Sequence, residues 1–525
     1  MKRNNIPLEI IEENRAKISL ALSLVTLLLL CVIITQVDKA FVSADRNAAS
    51  ISGQEDQNQE GDVETVTSSV RILAAGNNIF DENILSAGQA DEAAWNYDQV
   101  YSLIKDQISQ ADLSIVSQES AFTSEHSLVS GGPVYSTPVE VASALVNAGF
   151  DIIAGATEHA DDFGSEHLAN SLAFWQSTYP DTALLGLHSS QEEAANIRVV
   201  EQNGIRIALL NYSFGSSSDS IKMDAPFMVD YLEREKVASA IAQAKSVSDC
   251  IIFLAHWGTV DSAVPTEYQN QWAQFLLQQG VKVVVGSHPY VLQPCQILTD
   301  GAGNEMLVYY SLGNLVSGAQ SVPELLGGLA GFTLEKTVTG DQTTVRIADN
   351  SLTPVVMHYS ANLNICNVYP LSAYTDDLAR GHGINSVDAY AEATMSVAAF
   401  QELFNYIMRL SVDVSQNVNL LDYTFNPDTT LTGPDGSILY PGEIAAANAA
   451  EGSLDTLVQV MIDASAANTS ADEGQDMGVD QGMDADAYMD SGMDTDTYTD
   501  IGMGGDLYMD MSMDMDPYTA MLQAE

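Results

Sequence analysis

From residue 70 onward the chain alternates short apolar runs with longer stretches whose apolar residues recur at helical spacing. The runs fall at 70–75, 113–116, 152–156, 205–210, 250–255, 281–285 and 306–310, and polar residues or glycines close each of them. A short apolar run bounded by turn residues reads as a strand buried on both faces. Helical patterns lie between the runs, at about 97–110, 138–148, 166–176 and 231–247, and at 266–279, where Trp272, Phe275 and Leu276 share a face. Residues Thr137, Pro138, Val139 and Glu140 predict a helix start: Thr137 caps, Pro138 suits the first turn and Glu140 reaches back to a free amide. Such alternation argues for an α/β domain over residues 68–345.

Beyond residue 345 the pattern changes. Residues 386–410 form one long helical pattern with Ala391, Met395, Phe400, Phe404 and Met408 among its apolar positions. Gly433, Pro434, Asp435 and Gly436 mark a turn between short strand-like pieces, and 453–464 is a further amphipathic stretch. These features predict a smaller C-terminal subdomain at 346–466. In 467–525 a ten-residue unit recurs, with Met483, Met493, Met503 and Met513 in step with Tyr488, Tyr498, Tyr508 and Tyr518. No lysine or arginine follows Arg409. An acidic Met/Asp/Tyr tail of this kind is expected to be disordered. Its aspartates lack the spacing of an EF-hand loop.

The N-terminus carries a different signal. Residues 18–37 are apolar or uncharged throughout, and at ~1.5 Å per residue they match the roughly 30 Å hydrocarbon layer. Lys2, Arg3, Arg15 and Lys17 precede the run, so residues 1–17 are expected inside and the main domain outside the cell membrane. A cleaved signal peptide is the competing reading, because Val42, Ser43 and Ala44 resemble a cleavage site. The run exceeds the ~7–15 residues of a signal core, which favours a single-pass anchor. Residues 38–67 then read as a polar stalk.

Charge narrows the partners. Acidic residues outnumber basic ones 71 to 19, for a formal net charge of -52, which argues against nucleic acid as a partner. Cys31, Cys250, Cys295 and Cys366 include no CxxC pair and imply neither a disulfide framework nor a zinc cluster.

The candidate chemistry sits where the apolar runs stop. Asn77 follows the first run, Ser117, Gln118 and Glu119 the second, and Thr157, Glu158 and His159 the third. His256 ends the 250–255 run, and His288 and Tyr290 follow the 281–285 run. Side chains at the carboxyl ends of strands in an α/β sheet converge on a shared crevice. Carboxylates and imidazoles gathered there suit manganese, zinc or iron.

At these residues the sequence resembles the CapA family, capsule and poly-γ-glutamate synthesis proteins with a calcineurin-like metallophosphatase fold. The resemblance covers about 68–320. Ala74 to Asn78 is similar to AAGDN, and Ser117 to Ser120 to an NxE segment. Residues 149–164 are similar to GFDVV followed by ANNHALDYG, and the series continues through Asn211 to Gly215, His256-Trp257-Gly258, Gly286 to Pro289 and Tyr310 to Asn314. The resemblance implies an α/β/β/α sandwich with two metal subsites. Asn77 and Tyr290 would fall on one, Glu158, His256 and His288 on the other, and Glu119 would bridge them. His159 would be the proton donor, with Ser117, Asp162 and Asn314 supporting the ligands.

Four positions depart from the family pattern: Asn77 stands for an aspartate, Ser117 and Glu158 for asparagines, and Tyr290 for a histidine. A neutral amide and a phenol are poor ligands near neutrality. One subsite is therefore expected to be degraded, leaving at most one divalent ion, with none as the other possibility. Two function classes follow. One is an envelope-polymer or synthesis-partner binding protein; the other is a one-metal or altered-metal hydrolase of phosphoester, peptide or polymer bonds. The ligand changes favour the first.

Overall fold

The computed structural model describes residues 65–91, 94–217, 224–387, 395–410, 424–425, 431–432, 438–439 and 452–472. The 18–37 run, residues 38–64 of the expected stalk and the repeats beyond 472 lie outside these residues. Among the described residues no helix is long and apolar enough to cross a membrane.

The apolar runs become strands of two sheets. In the first, four parallel strands lie in the order Thr65–Asn78, Leu113–Gln118, Ile152–Ala154 and Ala183–Leu185. Leu326–Thr339, Gln342–Tyr359 and Cys366–Pro370 extend it antiparallel from the other edge of Thr65–Asn78, and Asn314–Val316 pairs with that strand's end. In the second sheet Ile205–Ser213, Cys250–His256, Val283–Ser287 and Glu305–Tyr309 run parallel, with Arg198–Gln202 and Cys295–Thr299 antiparallel at the edges.

Why the strands read as unbroken apolar runs follows from their two buried faces. In Cys250–His256, Cys250, Ile252 and Leu254 face a core shared with Ile72, Ile115 and Ile152 of the other sheet. The alternate residues Ile251, Phe253 and Ala255 pack under Val237 and Ile241 of helix Arg234–Val247 and Trp272 and Leu276 of helix Glu267–Gln278. On the far side, Ala75, Val116 and Ile153 of the first sheet meet Val141 and Leu145 of helix Val139–Ala148. The order is therefore helix, sheet, sheet, helix, a mixed α/β fold.

Several expectations need correction. The first strand begins at Thr65, inside the expected stalk; its exposed start pairs Thr65 with Thr339, a contact that leaves no apolar run. The 97–110 pattern breaks into Asp98–Tyr101 and Lys105–Ser109, both buried on one side. Pro138, not Thr137, is the N-cap of Val139–Ala148. Thr137 Oγ1 instead pairs with Ser120 Oγ at 2.7 Å, and Glu140 pairs with His126 Nε2 at 2.9 Å.

The boundary at 345 falls within Gln342–Tyr359, which continues the first sheet. Helix Val397–Arg409, capped by Ser396, adds Phe400 and Leu403 to the core shared with Val141, so this region does not build a core of its own. Of the expected 386–410 helix, Val397–Arg409 is helical, and residues 388–394 lie outside the described residues. The expected turn at 433–436 lies outside the described residues, between strands Leu431–Thr432 and Ile438–Leu439, which do pair antiparallel. Helix Leu454–Asp472 runs past the expected boundary at 466.

Candidate metal centre

Strand register assembles the site. Ser213, His256 and Ser287 are successive partners across three parallel strands, and Asn77 pairs with Ser117 in the facing sheet. His256 Nδ1 lies 3.0 Å from Ser287 Oγ, and Ser117 Oγ reaches the same hydroxyl at 3.3 Å. That contact turns His256 Nε2 toward Glu119, 3.3 Å from Oε1. Glu119 is anchored through its backbone: its carbonyl accepts the Thr157 hydroxyl at 2.5 Å and its N–H donates to Asn78 at 3.3 Å.

His288 and Tyr290 occupy a sharp turn after Ser287. Both have left-handed backbones, φ 96° and 63°, which bulky residues adopt at a cost. Gly286 lets the strand end pass close to its neighbour, since a Cβ there would lie 1.9 Å from the Tyr310 carbonyl oxygen. The turn brings His288 Nδ1 to 3.3 Å from Glu158 Oε1, beneath the Phe214 ring at 4.3 Å. Ligand atoms of Glu158, His256 and His288 all lie within 4.8 Å of one another, as do those of Glu119, Glu158 and His159.

His159 stands at the edge of this cluster. Its Nδ1 is 2.8 Å from Asp162 Oδ2, its Nε2 is 3.5 Å from Glu158 Oε1, and the Tyr135 ring packs against it at 4.7 Å. Burial pulls its pKa down, but the Asp162 hydrogen bond and the Glu158 carboxylate outweigh that and raise it to about 9. Burial likewise opposes ionisation of Glu158, yet His288, His159 and His256 together hold its carboxyl well below the usual range. Burial, reinforced by Glu158 and Glu119, pushes Tyr290 well above the ordinary phenol value, so it stays protonated.

The two residues expected on the degraded subsite are engaged elsewhere. Asn77 Nδ2 donates to Asn314 Oδ1 at 3.3 Å, and its Oδ1 accepts the His288 backbone N–H at 3.3 Å. Tyr290 donates its hydroxyl to Glu158 Oε1 at 2.6 Å. Asp162, besides its bond to His159, accepts the Tyr135 N–H at 2.7 Å. Three contributors escaped the sequence reading. Ser287 and Phe214 lie within motifs already noted, whereas Tyr135 opens the short strand Tyr135–Pro138, which no apolar run marks.

Both Glu119 carboxylate oxygens, His256 Nε2 and His288 Nδ1 are buried, and none has a hydrogen-bond partner among the described residues. Such orphaned groups ordinarily cost about 1–3 kcal/mol each, and an ion removes that penalty. Two imidazole nitrogens facing two carboxylates fit a divalent transition metal.

Residues 71–319 match the family model described as bacterial capsule synthesis protein PGA_cap. The PGA biosynthesis protein CapA of Bacillus subtilis (strain 168) is 26% identical over 219 residues, 42% of this chain and 56% of that protein. The capsule biosynthesis protein CapA of Bacillus anthracis is 24% identical over 181 residues, 34% of this chain and 42% of that one. Over this region the chain is similar to the CapA proteins. The shared region spans about half the length of these CapA relatives.

Among solved structures, a hypothetical protein from Thermus thermophilus aligns at 14% identity and TM-score 0.32, over 54% of this chain and 98% of that one. A putative 5'-nucleotidase from Staphylococcus aureus, solved with alpha-ketoglutarate, aligns at 10% identity and TM-score 0.32, over 55% of each chain.

Proposed function

We propose that the chain is a membrane-anchored CapA-family protein of envelope-polymer synthesis, capsule or poly-γ-glutamate, whose exterior domain holds one divalent ion. In this reading it works more by binding the polymer or its synthesis machinery than by efficient catalysis. The observation that carries it is the convergence of four orphaned ligand atoms from Glu119, His256 and His288 with the carboxylate of Glu158. These four residues would hold manganese, zinc or iron. The ion, when bound, supplies Lewis acidity and a site for a polymer oxygen. The rest belongs to the chain: Asp162 fixes the His159 ring, Ser287 fixes His256, and Asn77 fixes the turn that carries His288.

A second reading, a one-metal or altered-metal hydrolase, is favoured by the His159–Asp162 pair, which holds a proton beside the cluster. Ion-dependent turnover of an aryl phosphate that disappears in His159→Ala would select it.

The full chain, purified in detergent and equilibrated with Mn(II) or Zn(II), should carry one tight ion by elemental analysis. His256→Ala or His288→Ala should remove it, since each deletes an imidazole donor. Two ions would overturn the one-ion reading, and none would overturn the metal centre.

A further inference from the structure

We infer that Tyr290 is a positioning residue for the metal carboxylate Glu158: a hydrogen-bond donor stands where the family pattern supplies a ligand. The inference rests on the one-ion reading above. Glu158 and Tyr290 are both departures from the family pattern, lie 132 residues apart in sequence, and meet at 2.6 Å. An additional anion and an additional hydroxyl donor have thus arrived at the same place, each satisfying the other.

The backbone is built to deliver that hydroxyl. The turn through Pro289 has left-handed residues on both sides, a conformation that persists only when its surroundings enforce it. Three hydrogen bonds do so: Trp257 N–H to Ser287 O at 3.0 Å, His288 N–H to Asn77 Oδ1 at 3.3 Å, and Asp261 N–H to Pro289 O at 3.0 Å.

Glu158 Oε1 is also crowded from the other side, by His288 Nδ1 at 3.3 Å and His159 Nε2 at 3.5 Å. The phenol makes the shortest contact to this oxygen and sets the orientation of the carboxylate. A carboxylate oxygen has two lone pairs, so it accepts the phenol and still faces an ion. Asn77, whose amide is engaged by His288 and Asn314, offers a second ion only a neutral oxygen that already accepts one hydrogen bond.

The test removes one oxygen atom. Tyr290→Phe in the full chain keeps the ring and deletes the donor. Affinity for Mn(II) or Zn(II), measured by competition with a chromophoric chelator, should fall about 10–100-fold, as for other groups that orient metal ligands. The ion count at saturation should stay at one, and the melting temperature in excess chelator should stay near that of the unmodified chain.

In a Glu158→Gln background the same substitution should have little further effect, because the carboxylate it positions is gone. One ion on the unmodified chain with unchanged or tighter affinity in Tyr290→Phe would overturn this inference alone. So would equal weakening in both backgrounds, or a large loss of melting temperature in chelator. No ion on the unmodified chain would overturn this inference and the one-ion reading together.

Discussion

Asn77 is fully buried, and both ends of its amide are in use. Asn77→Asp, the change toward the family pattern, keeps the bond from His288 N–H but sets a carboxylate oxygen against Asn314 Oδ1. Asn314 relieves the clash only by turning its own amide, which gives up its bond to the Glu324 carbonyl at 3.2 Å. The variant measured in chelator should therefore be less stable by about 1–3 kcal/mol, read from the urea midpoint. Its ion count should stay at one while Tyr290 still holds Glu158. Undiminished stability, or a second ion in the single variant, would show that the amide is not fixed in this way.

The same residue scale shows what sequence can and cannot announce. His256, His288, Glu119 and Glu158 were legible because each closes or follows an apolar run. Ser287 was not, because its contact with His256 comes from strand register, which leaves no local trace. The bond between Tyr290 and Glu158 was hidden for the same reason: it joins segments that are neighbours only after folding.

At the scale of elements, the parallel strands of the two large sheets were legible apart from Ala183–Leu185 and Asn314–Val316, and the antiparallel strands of those sheets were not. A strand covered on both faces is a continuous apolar run, as in Cys250–His256. Gln342–Tyr359 is exposed over much of its length and buried only near its end, so its first half carries no such signal. That buried end brings a histidine pair with it. His358 Nδ1 lies 2.8 Å from Tyr374 OH, and the His382 ring packs on His358 at 4.9 Å. His382 Nε2 donates to the Met357 carbonyl at 3.0 Å, so Nδ1 is the acceptor for Ile384 N–H, also at 3.0 Å. The ring is held neutral at both nitrogens.

Burial lowers the pKa of each histidine to about 4, and for His382 the neighbouring His358 adds to the effect. The unfolded chain, with ordinary histidines, binds more protons as pH falls. Their contribution to stability is therefore intact above the unfolded value near 6.5, lost progressively toward pH 4, and level below it. Each is worth on the order of 2 kcal/mol across that window. His382→Gln offers a donor and an acceptor without titrating, so its urea midpoint should fall less between pH 7 and pH 4.5 than that of the unmodified chain. Parallel pH profiles for the two proteins would refute this account.

At the scale of the whole molecule, the charge is unevenly placed. Every cation lies at or before Arg409, so the acidic repeats after residue 472 have no opposite charge of their own to pair with. Aspartates in such a run repel one another, and a sequence with one tyrosine and one to three methionines per ten-residue unit is expected to add little to a core. Helix Leu454–Asp472 is another matter. Leu457 and Met461 are fully buried in the core that also holds Phe400 and Leu403, and Ser465 Oγ is buried against the Met461 carbonyl at 2.8 Å. The burial that matters for stability therefore runs through Ser465, next to residue 466, where the composition changes. A chain ending at Asp472 should melt within a few degrees of the full chain, a shift of under about 1 kcal/mol. Leu457→Ala or Met461→Ala in the full chain should cost about 2–5 kcal/mol, because each empties a filled core position. Scanning calorimetry of the three proteins separates the cases. A large loss of melting temperature on removing residues 473–525 alone would mean that the repeats pack against the folded domain despite their charge.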